Sequence, residues 1–127
     1  MKLKWLDRDT VRAPFMALCL SEREYLAAAK HCKIDHPHQW MEVERHMGTT
    51  HTWESGGILT SVVCLHPDAL QADPIEVVCT LVHESVHIFQ RLCDRIGEDE
   101  PSREFEAYSI ERIAERLMRE FARRLAP

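Results

Sequence analysis

No run of apolar residues in this sequence approaches the ~20 needed to cross a bilayer as a helix. The first ten residues, MKLKWLDRDT, carry neither a long apolar core nor a small-residue cleavage site, so no secretory signal is read there and a cytoplasmic protein is expected. Internal repeats and low-complexity tracts are also missing, which excludes solenoids and biased linkers. Basic charge is not in excess. Sixteen Lys and Arg stand against twenty-one Asp and Glu, and the net charge of −5 argues against nucleic acid as the main partner. Cysteines number five, an odd count, and Cys19, Cys64, Cys79 and Cys93 lie inside apolar patterns. They read as reduced core residues rather than a disulfide framework. What is present is 127 residues, 45% hydrophobic and 29% charged, which is one domain of ordinary globular composition. Histidine is the exception, with eight residues unevenly spread.

Residues 9–20 (DTVRAPFMALCL) are apolar around Pro14, and a short helix ending or bending at the proline is expected there. Ser21 followed three residues later by Glu24 is a capping box, opening a helix to about Cys32. Residues 33–45 are loop-like, with Trp40, Met41 and Val43 as packed positions. A β-hairpin is expected over residues 46–66. One strand is rich in Thr and aromatics, Glu54-Ser55-Gly56-Gly57 forms the turn, and ILTSVVCL forms the return strand. Asp73-Pro74-Ile75-Glu76 is a strong helix start, with Asp73 as N-cap and Pro74 at the first helical position. Apolar residues then recur at 75, 78, 82, 86, 89, 93 and 96, with Leu81, Ile88 and Leu92 as a second strip, until Gly97 ends the helix. Ser102 caps a last helix near 103–125, whose buried face reads Phe105, Ile110, Ile113, Leu117, Phe121 and Leu125.

At the middle of the central helix, residues 83–87 read His-Glu-Ser-Val-His. Positions i and i+4 share a helix face, so His83 and His87 can hold one metal ion between them. Glu84 stands where it can take a proton from a water activated by that metal. Zinc wants four nitrogen, oxygen or sulfur donors and leaves one position to water at a catalytic site, so a third protein ligand is needed. The downstream candidates are Glu104 and Glu106. They lie two residues apart, about 200° around a helix, so only one of them can face the metal.

HExxH with a glutamate on the following helix resembles the gluzincin class of zinc peptidases. There the ligand glutamate often reads Glu-x-x-Ala, which maps here to Glu104, with Ala107 as the small packing residue and Tyr108 after it. Spacing counted as in the aminopeptidase branch selects Glu106 instead. Glu104 is preferred, because the local pattern reflects packing whereas loop lengths vary. The run LVHESVHIFQ…IGEDEPSREFEAYSI resembles, over roughly residues 50–115, a family of small uncharacterised phage and prophage proteins regarded as metallopeptidases. These resemblances imply a minimal zincin-like α+β domain, with a small antiparallel sheet packed on the HExxH helix and flanking helices. They imply Zn²⁺ on His83, His87 and Glu104, with Glu84 as general base and Tyr108 or a histidine from elsewhere stabilising the oxyanion. A peptide or protein substrate would add as a strand beside Ile58–Leu65. The HxxGxxH extension of the metzincins is absent, and no second lobe is evident to deepen a cleft. The rival reading is a non-catalytic phage structural or host-interaction protein with a structural or vestigial zinc site.

Other histidines read as ordinary. His31-Cys32-x₃-His36-x-His38 lacks a second Cys/His pair at zinc-finger spacing and is taken as a polar loop. His46 and His51 fall on the first hairpin strand, where cross-strand packing is expected, with His51 the one that could reach the cleft. The arginines at 112, 116, 119, 123 and 124 form a solvated helix face.

Overall fold

A computed structural model describes residues 15–127. The chain runs β1 (Phe15–Cys19), α1 (Glu22–His31), β2 (Gly48–Ser55), β3 (Ile58–Leu65), a single 3-10 turn (Ala69–Gln71), α2 (Pro74–Ile96) and α3 (Arg103–Leu125). It is an α+β fold, as the sequence implied. The helix boundaries follow their capping chemistry. The Ser21 hydroxyl accepts from the Glu24 backbone N–H at 3.2 Å, Asp73 Oδ1 from Ile75 at 3.0 Å and the Ser102 hydroxyl from Phe105 at 3.3 Å. α2 ends where Gly97 turns left-handed at φ 73°. In the β2–β3 turn, Gly56 and Gly57 both have positive φ, 59° and 79°, the combination a tight two-residue hairpin needs.

Two expectations are corrected at the sheet. Of the stretch 9–20, residues 9–14 lie outside the described residues, and Phe15–Cys19 is a strand rather than a helix. Five apolar residues carry too little periodicity to separate the two, and pairing decided it: β1 runs parallel to β3, Phe15 opposite Thr60 through Cys19 opposite Cys64. The sheet is therefore mixed, not antiparallel. Its order is β1-β3-β2, and only the β2–β3 pair is antiparallel.

Each face of β3 is buried by a different layer. Val63 and Leu65 join Leu81, Ile88 and Phe89 of α2 and Ile113, Leu117 and Phe121 of α3 in the main core. Val62 and Cys64 join Cys19 of β1 and Tyr25 of α1 in a second cluster on the other face. α2 and α3 thus pack against each other on one face of the sheet, α2 beside β2 and α3 beside β1. The buried residues of α2 are Val77, Leu81, Ser85, Ile88, Phe89, Leu92 and Cys93, together with Glu84. The second strip, Leu81, Ile88 and Leu92, is buried throughout, whereas the first is buried at Phe89 and Cys93 and exposed at Ile75 (72%), Val82 (41%) and Ile96. All five cysteines are free, with Cys19, Cys64 and Cys93 buried as expected, but Cys79 is exposed on α2. No helix among the described residues is long and apolar enough to cross a membrane.

The α3 arginines sit mostly on the solvated face, paired with Glu115 and Glu120. Arg124 departs from this. Its guanidinium donates twice to Glu24 of α1, at 2.9 and 2.7 Å, and ties the end of α3 to the start of α1 across 100 residues. That guanidinium holds the Glu24 carboxyl below the usual carboxylate range. A lowered folded pKa gives stability that is present above the unfolded value and lost as pH falls through the folded one. Glu24→Gln is therefore expected to lose about 1 kcal/mol at pH 7, the upper end for a partly exposed pair. The difference from wild type should shrink as pH falls below the ordinary carboxylate range and vanish only at a pH below the lowered folded pKa, where both carry a neutral group. Urea denaturation at the two pH values checks it.

Candidate metal centre

The site follows from how α2 is rotated. With Leu81, Ser85, Ile88 and Leu92 turned into the core, steps of about 100° per residue leave His83 and His87 on the exposed flank and put Glu84 at the border. The two Nε2 atoms are 3.2 Å apart, and the rings stand nearly perpendicular at 80°. Two nitrogens bound at 2.0–2.1 Å to one tetrahedral ion must lie about 3.3–3.4 Å apart, so this pair has the bite that zinc requires. Gln90, one turn on, places its side-chain oxygen 3.1 Å from His87 Nδ1. An amide oxygen only accepts, so Nδ1 carries the proton and Nε2 keeps its lone pair for a metal.

Glu84 is 5% exposed, and its carboxylate accepts from the hydroxyl of Thr50 on β2. Thr50, Thr52 and Gly48 point to the α2 side of β2, and Thr52 meets Ser61 of β3 at 3.3 Å. Between β2 and α2 is an open cavity of about 560 Å³. Threonines 49, 50 and 52 line its sheet side, and His83, Glu84 and His87 its helix side. His46, on the approach to β2, closes one end.

The donor set fits a metal in part. Among the described residues, no third His, Cys, Asp or Glu side chain closes with His83 and His87 into a complete cage. Glu104 is not brought to them. It shares its stripe of α3 with Tyr108, Glu111 and Glu115, all exposed, and Tyr108 is 67% exposed. Ala107, which the Glu-x-x-Ala pattern makes a packing residue, is exposed as well. The pattern therefore chose the solvent face of α3, and Tyr108 falls there too. Glu106 lies on the stripe of Ile110, Ile113 and Leu117, toward α2. Burial, and then the carboxylates of Glu98, Asp94 and Glu106, push the Cys93 thiol up. Glu106 does not line the cavity either.

One further expectation changes, and His51 packs rather than reaching the cleft. β3 is the central strand, paired on both sides, so Ile58–Leu65 has no free edge. The edge beside the cavity is β2. His51 alternates to the other face of β2, where its Nε2 donates to the Trp40 carbonyl at 2.8 Å and its ring lies 4.5 Å from that of Tyr25. Sequence reasoning missed Thr50 and Gln90. Gln90, three residues after His87, could have been found from helix spacing, whereas Thr50 needed the register of β2 against α2. Comparison with protein-family models, curated proteins and solved structures gave no match.

β2 comes this close to α2 because residue 48 is glycine. A Cβ there would stand 2.7 Å from Thr80 Cγ2 and 3.4 Å from Leu65 Cδ2. Gly48→Ala is expected to destabilise by about 1–3 kcal/mol, the usual cost of overpacking. Adding Thr80→Ser, which deletes the opposing methyl, should recover most of the loss. Thermal melts of both single variants and the double variant measure this coupling.

Proposed function

We propose that the protein is a zinc-dependent hydrolase, a peptidase that works in a reducing compartment such as the cytoplasm. The observation that carries the reading is a histidine pair with a zinc bite, set beside a buried carboxylate in one open polar cavity. His83 and His87 would hold the ion, with Gln90 fixing the tautomer of His87. Zinc at this position would acidify a water to a pKa of ~7 and polarise the scissile carbonyl.

The chain's own residues do the rest. Glu84 Oε2 is held by Thr50, so the carboxylate is oriented before substrate arrives and can take the proton of a water in the cavity. It then passes that proton to the leaving amine. An extended peptide pairs with the free edge of β2, which puts its backbone along the threonine-lined wall. Burial of Glu84 limits bulk water around the proton being moved.

Glu84→Gln keeps the size and the Thr50 contact and removes the basicity. It is expected to retain zinc and the wild-type melting temperature while turnover of a peptide library falls by at least ~10²-fold, the usual contribution of a general base. Loss of zinc from Glu84→Gln would make the residue structural. A wild-type protein that holds zinc but cleaves nothing would replace the peptidase with a binding module.

A further inference from the structure

We infer that His46 is the third protein donor to the metal. This rests on the zinc reading above and replaces the glutamate in its ligand set. Two imidazoles hold zinc weakly, so a third donor must come from a side chain that can reach the same cavity. Besides His83 and His87, three residues lining it carry an imidazole or carboxylate, the donors that zinc takes most readily beside thiolate: Glu84, Asp94 and His46. The Glu84 carboxylate is buried and engaged by Thr50. Asp94 lies seven residues beyond His87, about 10 Å along the helix axis. Its side chain is 74% exposed and stands 4.0 Å from Arg91. His46 is left.

His46 also lies on the right side of the pair. It lines the cavity shared with both histidines and a second, smaller one bounded by Cys79, Thr80, His83 and Glu84. It therefore faces the N-terminal end of the pair, from the segment that leads into β2. The backbone there is fixed. His46 N–H donates to Glu42 O at 3.0 Å, and the Met47 carbonyl accepts from His66 at 2.8 Å, which pins the segment to the end of β3. The imidazole itself is exposed, so turning it toward an arriving ion would uncover no buried side chain. Such a centre has three neutral nitrogen donors, one from the sheet side and two from α2, so metal binding would clamp β2 to the helix.

The test replaces His46 with a ligand that reports itself. In His46→Cys loaded with Co²⁺, a thiolate-to-cobalt charge-transfer band should appear in the near ultraviolet, and it should be absent from the wild type. His46→Ala should weaken Zn²⁺ at least ~100-fold in competition with a chromophoric chelator, beyond the 10–100-fold typical of an outer-shell partner. Glu104→Ala should leave the affinity unchanged. Circular dichroism and melting of the metal-free variants confirm that they fold. A wild-type affinity in His46→Ala, or no band in His46→Cys, overturns the assignment while the zinc reading stands. Loss of affinity in Glu106→Ala alone gives the position to Glu106, and a thiolate band already in the wild type gives it to Cys79. If the wild type binds neither Zn²⁺ nor Co²⁺, the zinc reading itself is overturned and the His46 assignment falls with it.

Discussion

The hydrogen bond from Thr50 to Glu84 joins the edge of the sheet to the long helix at the one place among the described residues where a carboxylate is buried. An unpartnered ionised carboxylate in that position would cost several kcal/mol, so β2 and α2 cannot separate or slip without uncovering it. A shift of β2 by one residue would turn Thr50 to the far face and bring His51 toward the helix. The register that satisfies Glu84 is thus the register that lines the cavity with threonine. Gly48 serves the same end, because its missing side chain lets the strand approach Thr80. Fold and site share these contacts, and they cannot be varied independently.

The rotation of α2 is fixed on its other sides. Ser85 is fully buried and its hydroxyl donates to the Leu81 carbonyl at 2.6 Å, so a small side chain in the HESVH motif sits against the core without an orphaned group. Phe89 packs against Phe105 of α3 with ring centroids 5.6 Å apart. Between them, the sheet and α3 take the apolar arcs of the helix, and the arc left over carries His83, His87, Gln90 and Asp94. Two histidine side chains reach solvent side by side because the residues on either side of them leave no other orientation open.

How much of this could be read from the residues alone depended on the range of the interaction. Helix ends set by Ser21, Asp73, Gly97 and Ser102, the glycine turn of the hairpin, and the pairing of His83 with His87 are all decided within a few residues. They were legible. The strand Phe15–Cys19 is decided by a partner some 45 residues away, and its parallel sense by the placement of α1, so neither was. On α2 both apolar strips are legible, but how deep each residue sits depends on where the sheet and α3 lie: Leu81, Ile88, Phe89, Leu92 and Cys93 are buried, and Ile75, Val82 and Ile96 are exposed. The choice of Glu104 failed because Glu-x-x-Ala carries meaning only when the alanine packs, and here Ala107 faces water. Cys79 was called core from its apolar neighbours, although its position one turn before His83 places it on the histidine flank.

Among the described residues no second lobe walls the cavity, and the end of the connection between α1 and β2, at His46, borders it. That connection is not free. Met41 is buried at 3%, the Tyr25 hydroxyl donates to the His38 carbonyl at 2.7 Å, and His51 Nε2 donates to the Trp40 carbonyl. All three anchors lie on the α1 side of the sheet or within the connection, whereas His46, where the connection ends, lines the cavity on the α2 side. The chain therefore crosses from one face of the sheet to the other between residues 41 and 46, held before the crossing by Tyr25 and His51 and after it by Met47 and His66. His51, expected to pack rather than reach the cleft, fixes from behind the segment that brings a different histidine to the front.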